Sequence, residues 1–553
     1  MNSSGDGRPK PRPVEASGGV QGHSRRWWAL AVIDLCLLAI TMDNTILNVA
    51  LPTISRQLNA SGSQLQWMVD AYIVVFAGLL LTSGTLGDRL GRRKLLLAGL
   101  SVFGLASMAT VFVNSPDQLI AIRGVMGLGG ALLMPATLSL ITNLFSEKER
   151  PKAIATWAAV SGVGMVLGPI VGGALLENFN WNAVFLVNLP IVAIGLAGTV
   201  LLIPESRDEH PDRVDPVGAV LSIAGLATLV YGIIEAPGAN WTAPETFLRI
   251  GAGLGLLVVF GLWELHRRAP MFDIRLFARP GFGPTSFAET VAHFAIVGGM
   301  FALTQYLQFV WGQRPLAAGV SMLPIAFGVI MGSVVATKLL PRIGAKYLIV
   351  AGMVGISLGL LSISRLTVDS PYVAFGAMLG FLSLGMGLAM APATDAIMGA
   401  VDKARAGVGS ATNDTTRELG SALGVAIFGS IVLSGYRDAL APRLASLPGG
   451  VAGLPAGVSA AIRDSIGSAS MAASAVPGDA GAAVLAAARQ SFVSGMSTAT
   501  LIGAGVVAAG TVIVALWMPN RARTSAAEMP NDLGAVAGAA SVATARAGEG
   551  AAG

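Results

Sequence analysis

The chain has 553 residues, of which 53% are hydrophobic and only 12% charged. Soluble domains carry about 25% charged residues, and a mean hydropathy of +0.68 excludes an ordinary water-facing surface. The net charge of +5 does not call for nucleic acid, because the placement of the basic residues has a topological reading, and the single cysteine, Cys36, excludes an internal disulfide framework.

Residues 1–26 include the run RPKPRP and little apolar content, the composition of a disordered tail. Fourteen apolar stretches follow, near 28–50, 66–87, 95–114, 117–143, 153–177, 183–203, 216–235, 247–265, 285–310, 317–339, 346–366, 372–399, 407–434 and 492–517. Each is long enough to cross a ~30 Å hydrocarbon core as a helix. In lipid the backbone must satisfy its own hydrogen bonds, so such stretches are helices, and period-two alternation of the kind a membrane barrel needs is absent. The first stretch, opening at Trp27-Trp28, is too long for a signal-peptide core and is followed by no small-residue cleavage pattern. The longest connection, 435–490, is rich in Ala, Gly and Ser and is compatible with short amphipathic helices or with disorder. The Ala/Gly-rich segment 518–553 reads as a second disordered tail.

With the N-terminus placed in the cytoplasm, 26 of the 36 Lys and Arg residues fall on the cytoplasmic side, in runs such as DRLGRRK (88–94), SEKERPK (146–152) and HRRAPMFDIRLFARP (266–280). Eight fall outside, at Arg56, Arg249, Arg314, Arg365, Arg437, Arg443, Arg463 and Arg489, and Arg123 and Arg417 lie within spans. The bias predicts a multi-pass protein of the cell (inner) membrane with both termini cytoplasmic. An internal echo suggests the architecture. Asp88-Arg89-Leu90-Gly91-Arg92-Arg93 follows span 2, and Pro341-Arg342-Ile343-Gly344-Ala345-Lys346 follows span 10. Repeats in transporters mark related halves. Six-helix halves would put the echo six spans later rather than eight, so spans 7 and 8 are an insertion. The expected organisation is an N-terminal six-helix bundle at 27–203, the inserted pair with its linkers at 204–283, and a C-terminal bundle at 284–517.

Ionisable groups inside a membrane are costly and mark pathways, proton relays or structural ion pairs. Here they are Asp34 and Asp43 in span 1, Asp70 in span 2, Arg123 in span 4, Glu289 and His293 in span 9, Asp395 in span 12, and Asp414, Arg417 and Glu418 in span 13. Asp414 and Glu418, four residues apart, share a helix face with Arg417 beside them. They are either a site that takes and releases a proton or a fixed triad. Asp43 heads a polar strip with Asn44 and Asn48 that is expected to face a water-filled cavity, and Asp70, a few residues into span 2, is expected to do likewise. Asp34 lies about half a turn round from Asp43, either a further proton group or an interfacial one. Glu289 and His293 share a face, as a titrating or a satisfied pair, and Asp395 sits at the cytoplasmic end of span 12. In span 5, Gly164, Gly168, Gly172 and Gly173, with Pro169, make a small-residue face suited to close helix approach. His23, His210, His266 and His293 form no ligand pair with Cys36, so neither a metal site nor a catalytic centre is expected.

Taken together, these segments resemble the major facilitator superfamily, in its fourteen-helix drug:proton antiporter branch, over roughly 28–517. The stretch from Gly84 through Gly87, Asp88, Arg89, Gly91 and Arg92 to Lys94 matches the superfamily's loop between helices 2 and 3. The resemblance implies that this loop latches the cytoplasmic gate through Asp88 and Arg92. Gly164-xxx-Gly168-Pro169-xx-Gly172-Gly173 is similar to the helix 5 motif of antiporters and implies export. Arg123 resembles the helix 4 arginine implicated in proton transfer. WMVDAYIVVFAG (67–78), MDNTILNVALP (42–52) and NDTTRELGSALGVAIFG (413–429) look closest to the quaternary-ammonium exporters, which assigns cation recognition or protonation to Asp43, Asp70, Asp414 and Glu418. Three features depart from that group: Arg417 between the helix 13 acids, the additional Asp34, and WNAVFLVNLP (181–190), which lacks the branch's usual arginine. The implied fold is all-α, two six-helix bundles plus two inserted helices. The implied activity is proton-driven antiport that exports lipophilic cations, with Arg123, Asp414 and Glu418 in proton coupling and Asp43, Asn48, Asp70, Asp414 and Glu418 in substrate binding; Asp34 joins the proton-coupling set by its place in span 1 and not by the resemblance. No cofactor beyond the proton gradient and a monomer in the bilayer are expected. The alternative is a dedicated exporter of one natural product.

Overall fold

Apolar stretches bounded by Pro, Gly and capping residues become fourteen helices of membrane-spanning length in the computed structural model, which describes residues 23–519 apart from 147, 209–213, 268–269, 402–405, 447–455, 475 and 477–478. In order the spans are Arg25–Leu58, Gly62–Leu90, Arg92–Phe112, Pro116–Leu144, Lys152–Asn178, Ala183–Leu202, Pro216–Ala239, Pro244–His266, Gly283–Val310, Pro315–Ile343, Ala345–Ile363, Tyr372–Gly399, Ala411–Ala445 and Asp479–Trp517. Among the described residues there is no strand. Local chemistry sets the boundaries. Ser61 and Gln64 form a reciprocal capping box at the start of span 2, and proline occupies the first turn of spans 4, 7, 8 and 10, where its missing N–H costs nothing.

The echo between the halves has a structural counterpart. Spans 2 and 3 are joined through Gly91 alone, at φ +111°, and spans 10 and 11 through Gly344 alone, at φ +81°. Both turns use a left-handed backbone that only glycine adopts cheaply. Two hydrophobic cores follow, one drawn mainly from spans 1–7 and one from spans 9–14.

Two expectations are sharpened. The expected tail at 1–26 is too long by four residues: the first helix already begins at His23. Arg25 donates to Leu201 O at 3.1 Å and Arg26 pairs with Glu149 at 2.9 Å, so these basic residues are held against neighbouring helices. Residues 1–22 and 520–553, the rest of the expected tails, lie outside the described residues. The 435–490 connection resolves largely into helix. The span 13 helix runs on to Ala445, the span 14 helix starts at Asp479, and Ala456–Asp464 and Ile466–Ser474 lie between. Tyr436, Leu440, Leu444, Ile462 and Ile466 give this segment a buried apolar face, which is what orders it.

Both described chain ends lie on one side of the bundle, here the termini side. On the opposite, far side the halves touch. A π-helical turn, Tyr306–Val310, aims Gln308 of span 9 across to Val49 O of span 1 at 2.8 Å. Gly173 of span 5 abuts the backbone of Pro315 and Leu316, and Gly319 abuts Pro169.

Candidate functional site

Each half contains one buried charged network, anchored on an acid in its first span. In the N-terminal half, Arg123 Nη1 lies 2.5 Å from Asp43 Oδ2, with the two side chains 1% and 0% exposed. Arg123 Nε donates to Met68 O at 3.0 Å, and the guanidinium stacks 4.4 Å from the Tyr72 ring centroid. Asn188 donates to the other Asp43 oxygen at 3.2 Å. Spans 1, 2, 4 and 6 are thereby tied at one point. The expected water-facing strip is corrected: Asp43 is sealed inside the bundle, and Asn48, also buried, donates back to Asn44 O. A carboxylate facing a buried guanidinium is held by it, because neither charge has water to turn to.

In the C-terminal half, Glu289 is 1% exposed and accepts from Thr394 Oγ1 at 2.8 Å and Asn413 Nδ2 at 2.9 Å. The His293 Nδ1 and Glu289 O atoms lie 2.8 Å apart, and Arg417 Nε donates to His293 Nε2 at 3.1 Å. The ring therefore carries its proton on Nδ1. The expected His293–carboxylate pair is replaced by a His293–Arg417 contact, since the Glu289 carboxylate turns to Thr394 and Asn413 instead. Arg417 also lies 3.6 Å from Asp414 Oδ1 and 3.9 Å from Glu289 Oε2. Among the described residues nothing donates to the Glu418 carboxylate, which lies one turn beyond Asp414 on the span 13 helix. One guanidinium is thus shared by Glu289 and Asp414, with Glu418 nearby. Asp395 is exposed and stands apart from the network.

Two further acids are buried without partners. Asp70 is 0% exposed, and among the described residues neither carboxylate oxygen has a hydrogen-bond donor. Its full burial keeps it from open space, in place of the cavity-facing position expected for it. One turn away on the same face, Gln66 meets Gly429 and Ser430 of span 13. Asp34 is 6% exposed, and its Oδ1 lacks a partner.

The glycines of span 5 do what their spacing implies. Gly164 faces Thr41 and Leu38, Gly168 faces Thr45 and Met42, and Gly172 faces Ile46, so span 1 lies directly on this ridge. In the loop after span 2, Arg92 holds Asp88 at 2.7 Å, and the Asp88 and Arg92 backbones bond to Asp208 and Ser206. Among the described residues the latch joins its own half to the segment that follows span 6 and not to the opposite half. Gly91 packs where any Cβ would meet the Glu205 carboxylate, and Gly87 packs on Leu95. Gly84 faces Pro135 of span 4, while Arg89 is exposed. Sequence reasoning missed Tyr72, Asn188, Thr394 and Asn413. Asn188 carried the clearest signal, a lone amide in a stretch otherwise oily enough to span.

The sequence profile described as Major Facilitator Superfamily matches residues 33–425. The chain is 36% identical over 496 residues to the "Multidrug efflux pump LfrA" of Mycolicibacterium smegmatis, covering 89% of this chain and 96% of that protein. It is 34% identical to the "Methyl viologen resistance protein SmvA" of Salmonella typhimurium, covering 86% and 94%. A bacterial homologue of the human lysosomal transporter Spinster, solved inward-facing and occupied, superposes with a TM-score of 0.63 at 16% identity, covering 90% of this chain and 98% of that one. Fourteen apolar helices, a glycine-turned echo between halves and a sequence match over most of its length make this chain a member of the Major Facilitator Superfamily.

Proposed function

We propose that this chain is a proton-coupled antiporter that exports lipophilic cations by alternating access between spans 1–6 and spans 9–14. The observation that carries the proposal is the charge count at the C-terminal network: Glu289 and Asp414 share a single guanidinium, Arg417, and Glu418 stands next to it in the helix. With all three ionised the group is two positive charges short. A proton or a cationic substrate restores the balance, and either one can displace the other, which is what antiport requires. Asp414 and Glu418 are the exchanging acids. Asp70 is a further acid, uncovered when the far side parts, and Asp34 a proton acceptor on the approach. Asp43, Asn48 and Arg123 hold the N-terminal half in register for both states.

The relatives "LfrA" and "SmvA", named for multidrug efflux and for methyl viologen resistance, support export and a drug-like substrate. The bias of Lys and Arg supports an inner-membrane location with both termini cytoplasmic, which makes the far side the exit. Each charge moved across the membrane draws about 2.3 kcal/mol per 100 mV, so exchange of two protons for one monovalent cation is driven by the potential as well as by the pH gradient. Expression in a host stripped of its own efflux pumps tests the reading. Raised resistance to several lipophilic cations is expected. Protection against one natural product alone would favour a dedicated exporter, and protection against none would overturn export.

A further inference from the structure

The halves meet along two lateral seams, span 2 against span 13 and span 5 against span 10, and the two are covered unequally. Span 7 lies over the first. The Ser430 hydroxyl of span 13 is 2.9 Å from Ile233 O of span 7 and 3.3 Å from Gln66 Oε1 of span 2, so all three helices meet at one group. Beyond it, Trp241 donates to Ser434 at 2.9 Å and Arg437 donates to Pro237 O at 2.8 Å. Nearer the termini side, Ile223 fills the space against Gly78 of span 2. The connection after span 8 then crosses the seam. At one end Thr82 of span 2 donates to Met271 Sδ at 2.9 Å. At the other, Leu276 and Phe282 pack with Ile397 and Val401, and Arg279 donates to Ala400 O at 3.0 Å.

The second seam closes at its far end only, where Gly173 and Pro169 meet span 10. Following the same faces toward the termini side at helical spacing sets Ala155, Ala159 and Gly162 of span 5 against Ile330 and Thr337 of span 10. All five are exposed, Ile330 at 63%, and a Cβ placed on Gly162 would have nothing within 4 Å. Span 5 packs instead on spans 1, 4 and 6, and span 10 on spans 11 and 12. One wall is small and apolar and the other is Ile330 with Thr337, whose hydroxyl donates to Ser333 O within its own helix, so a hydrocarbon body passes without breaking a hydrogen bond between the walls. Passage through the first seam would break several.

We propose that the inserted spans 7 and 8 and the 270–282 segment that follows them seal the span 2–span 13 seam, so that an amphiphilic cation dissolved in the termini-side leaflet reaches the buried acids through the span 5–span 10 slot. This rests on the export reading and adds the route. A portal sets rates of association and release together and leaves the equilibrium affinity of the site alone. The test uses the full chain in lipid nanodiscs with tetraphenylphosphonium, a cation that partitions into lipid. For Gly162→Phe and Ala159→Phe, association and dissociation are expected to slow by about tenfold with Kd unchanged. A photoreactive analogue is expected to label spans 5 and 10 of the wild type, which keeps the test decisive if a variant does not fold. Unchanged rates, a changed Kd at unchanged association rate, or labelling at the first seam, on Gly78, Thr82 and Ile223, with none on spans 5 and 10 overturns the route. A wild type that binds but does not transport the cation in proteoliposomes overturns the export reading while leaving the labelling result to judge the route.

Discussion

Removing Asp43 is the sharpest test of how the N-terminal half is held. Among the described residues its carboxylate is the only acid on Arg123, both side chains are buried, and the guanidinium also serves span 2 through Met68 O and Tyr72. Asp43→Ala leaves a cation enclosed without its counter-charge. Breaking a buried pair on one side costs about 3–5 kcal/mol. The Tyr72 face and the Met68 carbonyl stay in place, which puts the expected loss near the lower end, about 3 kcal/mol. The paired change Asp43→Ala with Arg123→Leu removes both charges and is expected to recover most of that loss, since apolar replacement of a whole buried pair is often neutral. Unfolding of the purified protein in detergent micelles, followed by intrinsic fluorescence across a denaturant series, reads both variants. Stability of the single variant within about 0.5 kcal/mol of wild type, or a double variant no better than the single, would refute the account of Arg123 as a fixed tie.

Two further outcomes follow from the helix contacts. Gly168→Val drives a side chain into Met42 O and Ile46 N, which lie 2.9 and 3.0 Å from a Cβ at that position. Transport is expected to collapse with a stability cost of about 1–3 kcal/mol, and wild-type transport by this variant would remove the span 1–span 5 ridge from the mechanism. Gln308→Ala together with Ser430→Ala deletes two far-side contacts, each worth about 0.5–1.5 kcal/mol. Labelling of Val49→Cys by an impermeant maleimide from the far side should then quicken by about tenfold, and an unaltered rate would show that these bonds do not hold the closure.

Much of the fold was legible because the bilayer imposes it. Fourteen oily stretches can only be helices there, and the glycine at position 91 and its echo at 344 fixed the tight turns in both halves. The span 5 glycines were readable for the same reason, since spacing alone places them on one face. The partners of the charged groups were less legible. Asp43 and Arg123 are 80 positions apart, and Glu289 and Arg417 are farther still, so nothing in local spacing joins them. The polar strip at Asp43, Asn44 and Asn48 looked cavity-facing because helical periodicity tells which residues share a face and not what lies opposite. Arg417 was visible beside Asp414, but its turn toward His293 depends on span 9 packing against span 13. The 435–490 helices were hidden by an Ala/Gly/Ser composition that suits both helix and coil.

Proton exchange at the C-terminal network is the central claim, and proton release on substrate addition tests it most directly. With purified protein in weakly buffered detergent solution, tetraphenylphosphonium is expected to release protons from the wild type and none from the paired variant Asp414→Asn with Glu418→Gln. Undiminished release from that paired variant would contradict the account and move the coupled proton elsewhere.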